Sequence, residues 1–227
     1  MKKVSISSLI AAGLLATTAQ AEITANVALS TDYMYRGISQ TDSTPALSGG
    51  FDYSHESGFY AGLWASNVDS AFYSGANIEI DTYFGYGGGN ENWAYDVGFL
   101  RYFYPGSNFS DNNFNEVYGS LSRDFGVASV TAGLAVSDDF YGVGNSEYYT
   151  LGVDIPVGDY SVAVGYGAQD MDKAQNYDHY TLGISGEIES AALGWDLTWY
   201  GSDSDAETFA TDNLTDGRVV FTLSKSL

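Results

Sequence analysis

The sequence predicts an all-β protein, a single-chain antiparallel transmembrane β-barrel of about 12 strands with short periplasmic turns and long extracellular loops. Three observations predict this fold class. Apolar and polar side chains alternate along most of the chain, the connections between alternating segments are short and long in turn, and Gly (27) and Tyr (19) are abundant. Cys is absent, which excludes disulfide scaffolds, thiolate metal sites and Cys nucleophiles.

Residues 1–21 are predicted to be a secretory signal peptide. Lys2 and Lys3 form a basic start, a short apolar stretch follows, and residues 19–21 have the small-x-small pattern of a cleavage site. An uncleaved anchor is the alternative, although the apolar stretch is too short for a spanning helix. The barrel domain is predicted over residues 22–227, because a secreted chain without a later apolar helix can enter a membrane as a closed barrel.

Period-two alternation marks the strands, since successive side chains of a strand point to opposite faces of a sheet. No stretch with a period of 3.6 residues is long enough for a regular helix. The run of residues 85–89 (GYGGG) is interpreted as a flexible periplasmic turn rather than a phosphate-binding loop, because no helix follows it. The predicted apolar series cover residues 23–35, 47–53, 59–65, 78–86, 93–99, 117–121, 130–136, 149–155, 160–166, 180–184, 193–199 and 219–223.

The polar phase of these strands is rich in acidic residues, which are predicted to line a negatively charged lumen that concentrates cations. Asp32 and Arg36 are four residues apart on the first predicted strand, so they would face inward on one wall, as a salt bridge or as a constriction element. An aromatic loop over residues 71–75 is a candidate for narrowing the pore. The predicted pore-lining residues are Asp32, Arg36, Asp52, Glu79, Asp81, Asp96, Glu116, Asp154 and Asp196.

The apolar phase carries aromatic rings near the strand ends, as expected for the two interfacial girdles of a membrane barrel. Arg101 falls on this phase, so that either a bulge near Tyr102 shifts the strand or the side chain lies at the headgroup border. A soluble periplasmic β-sandwich, with the rings in its core, is the structural alternative. The predicted girdle residues are Tyr33, Tyr35, Tyr53, Phe59, Tyr86, Trp93, Tyr149, Tyr160, Tyr166, Tyr180 and Trp199.

The segment Asn26–Gln40 (NVALSTDYMYRGISQ) resembles the opening of the TorF-type porin family of proteobacterial outer-membrane proteins, also called Gcw_chp. The likeness covers most of the chain after the signal peptide and is densest in its first third. The resemblance implies an outer-membrane barrel and a pore, without indicating a particular substrate. It continues in residues 45–47 (PAL), 57–62 (SGFYAG), 64–68 (WASNV), 79–81 (EID) and 104–106 (YPG).

The function predicted from these features is a narrow outer-membrane channel that passes small cationic or neutral solutes by diffusion. Side chains fill the interior of a barrel of roughly 8 strands, whereas a barrel of roughly 16 strands leaves an open channel. A barrel of twelve strands is therefore predicted to have a narrow pore. A non-conducting structural or adhesive barrel, whose acidic loops bind ions, is the alternative. A barrel enzyme with His179 as base beside Asp178 is a third possibility, but no Ser elbow accompanies it.

No catalytic residue, metal site or cofactor is therefore predicted, and the protein is not expected to be an enzyme. The expected partners are outer-membrane lipid and lipopolysaccharide, small solutes, and the barrel assembly machinery, which would contact the C-terminal strand around residues 219–227. Lys and Arg are few and scattered, which excludes a nucleic-acid footprint. The predicted location is the bacterial outer membrane, and no oligomeric state is predicted.

Overall fold

The computed structural model describes residues 21–227, apart from the side chain of Asp212. The predicted signal peptide therefore lies outside the described residues, except for Ala21. The strands are β1 (Glu22–Ser30), β2 (Met34–Tyr35), β3 (Ile38–Ser39), β4 (Ala46–Ser54), β5 (Phe59–Asn67), β6 (Ile78–Gly89), β7 (Trp93–Phe103), β8 (Phe114–Asp124), β9 (Ser129–Ser137), β10 (Ser146–Val157), β11 (Tyr160–Met171), β12 (Tyr177–Ile188), β13 (Leu193–Ser202) and β14 (Arg218–Ser226).

Twelve of these strands form one closed antiparallel barrel, and β2 and β3 form a separate small hairpin. Each barrel strand pairs with its neighbours in the chain, and β1 closes the ring by pairing with both β4 and β14. Closure leaves no unpaired sheet edge. The predicted fold class, including the number of strands, is confirmed.

The helical elements of the described chain are single turns within loops. They are two 3₁₀ turns, at Ser110–Asn112 and Glu189–Ala191, and two α-helical turns, α1 (Ala206–Phe209) and α2 (Asp212–Thr215). None of the helices formed by residues 21–227 has the length and apolar character needed to cross a membrane.

Long and short connections alternate, so the barrel has a long-loop end and a short-turn end. The longest connections, residues 31–45 and 203–217, lie at the long-loop end, and β1 begins and β14 ends at the short-turn end. The run of residues 85–89 was predicted to be a turn, but β6 continues to Gly89 and pairs there with Ala94 of β7. The strand persists because the neighbouring backbone supplies hydrogen-bond partners even where the side chains are absent.

The outer face of the barrel is apolar and open to the surroundings. Leu29, Leu47, Phe51 and Val97 all point outward and are more than half exposed. Soluble proteins rarely expose a continuous apolar belt of this kind. Eight of the eleven rings predicted for the girdles are exposed in this belt: Tyr53, Phe59, Trp93 and Tyr160 toward the short-turn end, and Tyr149, Tyr166, Tyr180 and Trp199 toward the long-loop end.

Arg101 lies on this outer face close to the long-loop end. The pairing of β6 with β7 is uninterrupted from Ile80–Phe103 to Gly89–Ala94, so no bulge shifts the phase of the strand. The Arg101 Nη1 atom donates a hydrogen bond of 2.8 Å to Asn115 Oδ1 on β8. The bulge, one of the two alternatives predicted for this residue, is therefore absent from β7. The strand keeps its phase, and the Arg101 cation lies near the edge of the apolar belt.

Tyr33 and Tyr35 do not belong to the outer girdle, so that part of the prediction is wrong. Strand β1 ends at Ser30, and the chain then turns into the barrel, where the Tyr33 hydroxyl donates a 3.0 Å hydrogen bond to Glu79 Oε1. Hydrogen bonds of the Asp32 side chain stabilise this turn. The Asp32 Oδ1 atom accepts 2.7 Å hydrogen bonds from the hydroxyls of Ser39 and Thr41, and these bonds compete with continued strand pairing.

The barrel interior at the long-loop end contains a packed aromatic core supplied by several loops. Tyr73, from the connection predicted to narrow the pore, is 1% exposed and stacks on Tyr104 with ring centroids 4.2 Å apart. Phe114 stacks on Tyr102 at the same centroid distance and contacts Phe140 edge to face. The inward loops thus fill the half of the barrel nearest to the long loops.

Candidate functional site

The nine side chains predicted to line the lumen are all at least partly buried, and they divide into two groups. Four lie half-buried in the short-turn half, namely Asp52, Asp96, Asp154 and Asp196. Five are buried in the long-loop half, namely Asp32, Arg36, Glu79, Asp81 and Glu116. The first group is thus half-buried, whereas the second is fully enclosed by the packed interior.

Arg36 crosses the interior of the barrel. It lies at the tip of the β2–β3 hairpin, which follows β1, and its Nη2 atom contacts Glu116 on β8 at 2.7 and 2.8 Å. Strand β8 lies nearly opposite β1 in the ring. The Nη1 atom donates a 2.6 Å hydrogen bond to Gln169 Oε1 on β11, and the guanidinium carbon lies 3.9 Å from the Tyr148 ring centroid. Arg36 therefore links the hairpin to the far wall.

The guanidinium of Arg36 stays charged in this environment. Burial acts to lower the pKa of Arg36, but the Glu116 carboxylate and nearby tyrosines outweigh burial and raise it well above its ordinary value. A hydrogen bond between a guanidinium and a carboxylate is among the stronger polar contacts in proteins, and here the Nη2 atom reaches both Glu116 oxygens. The contact holds the hairpin inside the barrel.

Gly37 lets the hairpin approach the wall on its near side. Its φ of +80° is a left-handed conformation, and its carbonyl accepts a 3.0 Å hydrogen bond from the Ser202 hydroxyl on β13. A Cβ atom at this position would lie 2.6 Å from the Cβ of His179 on β12. Only glycine combines this backbone angle with so close an approach.

The two histidines lie at opposite ends of the barrel, as predicted. His55 is in a short turn, where its Nδ1 atom is 2.7 Å from the Ser57 hydroxyl. His179 faces the interior, where its Nε2 atom is 2.7 Å from the Tyr148 hydroxyl. Asp178 is the preceding residue on the same strand and points to the opposite face, so the pair does not form an acid–base dyad.

Asp32 and Arg36 neither share a strand nor pair with each other, contrary to the expectation from the sequence. Both lie beyond the end of β1, and each has a different ionic partner. The Asp32 Oδ2 atom is 3.0 Å from the Nη1 atom of Arg218 at the start of β14, whereas Arg36 pairs with Glu116. The period-two pattern suggested a continuing strand, but the turn described above reorients both side chains.

The short-turn half of the interior is organised by tyrosines that lie across glycines of the neighbouring strand. Tyr83 covers Gly62, Tyr60 covers Gly85, and Tyr118 covers Gly98. In each pair the two residues are directly opposite each other on neighbouring strands. Rings that cover glycines in this way stabilise a sheet and lie flat against its wall. Sequence reasoning missed these pairs because they depend on strand register.

These tyrosines also bind the half-buried aspartates. The Tyr60 hydroxyl donates a 2.8 Å hydrogen bond to Asp96 Oδ1 and lies 2.6 Å from the Tyr118 hydroxyl. The Tyr83 hydroxyl donates to Asp52, which also accepts a 3.3 Å hydrogen bond from Asn26 Nδ2. The groups that donate these hydrogen bonds to Asp52 and Asp96 are neutral, so the bonds do not compensate the negative charge of either carboxylate.

Replacing Gly85 by alanine is expected to destabilise the barrel by about 1–3 kcal/mol, the usual cost of overpacking. The new Cβ would lie 2.3 Å from the Tyr60 hydroxyl and 2.6 Å from the carbonyl oxygen of Val97, and the backbone oxygen cannot move aside. Gly152→Ala is the matched control, since a Cβ there meets nothing within 4 Å. Urea unfolding in detergent measures both variants, and equal stability would contradict the packing described for Gly85.

Acidic residues and histidines within residues 21–227 do not come together in groups of three or more that could hold a metal ion. The acidic loops predicted as loose ion-binding regions thus lack a preformed set of three charged or imidazole ligands in the described part of the chain. A cation site built from residues 21–227 would therefore combine one or two carboxylates with neutral oxygen ligands.

Solved porin structures are similar to this fold. The NanC porin is 10% identical over 88% of this chain and 97% of that chain, with a TM-score of 0.58. The KdgM porin is 10% identical over 90% of this chain and 99% of that chain, with a TM-score of 0.60. A KdgM porin in complex with disordered oligogalacturonate gives 11% identity, 92% and 99% coverage, and a TM-score of 0.59. At identities this low, the likeness shows the fold alone.

A comparison with curated proteins finds no match. The profile of the Gcw_chp family, which is described as a bacterial protein of unknown function, matches residues 15–227. This match confirms the Gcw_chp resemblance seen in the sequence, whereas the TorF-type name and its pore are not part of that description. The chain therefore belongs to the Gcw_chp family.

Proposed function

We propose that the protein is an outer-membrane channel for small cationic or neutral solutes, and that the structure represents a state closed at the long-loop end. The observation that carries this proposal is the arrangement of the closed barrel, which has an apolar belt outside and buried polar side chains inside. Barrels with this inside-out pattern span membranes, because closure satisfies every strand edge and lipid solvates the apolar face.

The charge of the short-turn half supports a preference for cations. Asp52 and Asp96 accept hydrogen bonds from neutral donors, and Asp154 is half-buried on the same inner wall. Negative charge in a narrow, low-dielectric space raises the local concentration of cations and repels anions. Oligogalacturonate, the anionic ligand in one of the similar porin structures, would meet charge of the wrong sign here.

In the long-loop half, two of the acidic side chains add no net charge to such a path, because each is paired with an arginine. Arg36 neutralises Glu116, and Arg218 neutralises Asp32. We propose that solutes pass when the β2–β3 hairpin and the loop of residues 68–77 move away from the wall. Loops packed inside a barrel form the narrowest point of the path and are its natural gate.

A non-conducting structural barrel is the second candidate, and the packed aromatic core favours it. Tyr73, Tyr104 and Phe140 are each at most 2% exposed, so the long-loop half is filled as densely as a protein interior. A core that never opens would leave the barrel as a membrane anchor for its acidic loops.

Planar-bilayer recordings distinguish the two candidates. Protein purified from outer membranes, with folding verified by heat-modifiable gel mobility, is expected to give brief, small conductance steps. In a salt gradient, the reversal potential is expected to have the sign of cation preference. Absence of any steps from demonstrably folded protein would support the structural barrel, and a reversal potential of anion sign would refute the proposed selectivity.

A further inference from the structure

Two acidic side chains on β6, Glu79 and Asp81, lie inside the long-loop half without an ion pair to any described residue. They are two residues apart, so both point inward, and they are 1% and 5% exposed. Tyr33 donates one hydrogen bond to Glu79. The Glu79 Oε2 and Asp81 Oδ1 atoms, however, are shielded from solvent and have no hydrogen-bond donor within residues 21–227.

Buried carboxylates in this state carry a large free-energy cost unless a cation or a proton compensates them. The two arginines that form ion pairs inside the described barrel are bound to other acids, Arg36 to Glu116 and Arg218 to Asp32. The Glu79 and Asp81 side chains leave the same face of β6 two residues apart, so two acidic groups meet in one shielded place. A compensating species is therefore required between them.

A divalent cation compensates this pair better than a proton does. One shared proton cancels a single charge, whereas a divalent cation cancels both and coordinates the two oxygens that lack donors. Hard cations bind carboxylate and neutral oxygen ligands together. The hydroxyl of Tyr33, which contacts Glu79, is a neutral oxygen of this kind.

We propose that Glu79 and Asp81 form an interior binding site for a hard divalent cation of the calcium or magnesium class. Glu79 and Asp81 supply the charged ligands, and the Tyr33 hydroxyl, 3.0 Å from Glu79 Oε1, is positioned to supply a neutral one. Tyr33 belongs to the connection between β1 and the β2–β3 hairpin, so the bound cation would hold that connection against β6. The proposal does not depend on conduction, because its readouts are stability and binding.

Thermal unfolding of the full chain in detergent, first stripped with a chelator, tests the site. Saturating calcium is expected to raise the unfolding temperature by roughly 5–10 °C. Glu79→Gln and Asp81→Asn are expected to abolish this rise. Asp154→Asn is the matched control, since it removes the same charge from a half-buried position on the inner wall, and it should keep the full calcium response.

Terbium(III) luminescence gives a second readout that does not depend on the stability of a variant. Terbium replaces calcium at oxygen sites and is excited through nearby tyrosine rings, so Tyr33 and Tyr104 should sensitise it. We expect calcium-displaceable luminescence in the wild type and in Asp154→Asn, with a loss of at least about tenfold in affinity in Asp81→Asn. If Glu79→Gln fails to fold, Asp81→Asn alone decides the question.

Two results would overturn the site. One is wild-type stability that responds to pH but to neither calcium nor magnesium, together with no sensitised luminescence, which would assign the compensation to a shared proton. The other is unchanged luminescence in both Glu79→Gln and Asp81→Asn, which would place cation binding elsewhere, for instance in the acidic loops.

Discussion

Replacing Arg36 by alanine is expected to destabilise the barrel by about 3–5 kcal/mol, the typical cost of removing one partner of a buried ion pair. The loss leaves the Glu116 carboxylate, which is 2% exposed, without its cation. The same substitution is expected to increase the frequency and size of conductance steps, because the guanidinium is the group that links the hairpin to β8 and β11.

A double-mutant cycle with Glu116→Gln separates the ion pair from simple loss of packing. The Glu116→Gln side chain keeps the volume but removes the charge that Arg36→Ala would leave unpaired. The double variant is therefore expected to be more stable than the sum of the two single effects implies, with a coupling of roughly 1–3 kcal/mol. Additive effects on stability would show that the Arg36–Glu116 ion pair does not hold the hairpin in place.

Arg101→Ala is the matched arginine control for both measurements. Arg101 is exposed on the outer face, where its contact with Asn115 contributes at most about 1 kcal/mol. The control should leave the conductance unchanged. If Arg36→Ala behaves like Arg101→Ala in the bilayer, the hairpin does not gate the path, and the closed state must be held by the aromatic core alone.

The barrel wall was predictable from the sequence because each strand carries its own signal. Side chains such as Leu47 and Phe51 point outward on one phase, and Asp52 faces inward on the other, whatever the neighbouring strand contains. Alternation of this kind is a local property. Closure followed from the number of strands and from the sorting of loops by length.

The interior was less predictable because it depends on contacts that are distant in the chain. Tyr33 and Tyr35 continue the apolar phase of β1, and only the hydrogen bonds of Asp32 to Ser39 and Thr41 show that the strand has already ended. The spacing Asp32-x-x-x-x-x-x-Ser39 is not a recognised turn signal. The sequence feature that could have indicated the turn is the set of polar residues on both sides of this hairpin, which hydrogen-bond to one another.

The partners of the charged residues were likewise beyond a strand-by-strand interpretation. Arg36 and Glu116 are 80 residues apart, and Arg218 and Asp32 are 186 apart. The sequence predicts that three of the four, Asp32, Arg36 and Glu116, face the interior, but which acid each arginine neutralises depends on the path of the loops. The resulting distribution of charge decides the next prediction.

Neutralising three interior aspartates in one variant, Asp52→Asn, Asp96→Asn and Asp154→Asn, is expected to remove most of the cation preference of the channel. Their charges lie on the inner wall of the short-turn half, where the contacts of Asp52 and Asp96 come from neutral donors. A unit charge about 4 Å from an ion is worth about 1 kcal/mol even in water. The loss of three should lower the cation-to-anion permeability ratio by about tenfold or more.

The control variant neutralises three exposed loop acids, Asp138, Asp172 and Glu207, so the net charge changes equally while the inner wall does not. Screening by salt weakens charges at such distances from the path, and the reversal potential of the control should stay near that of the wild type. An equal shift in both variants would locate selectivity at the mouth. Selectivity that survives in the interior variant would refute its assignment to Asp52, Asp96 and Asp154.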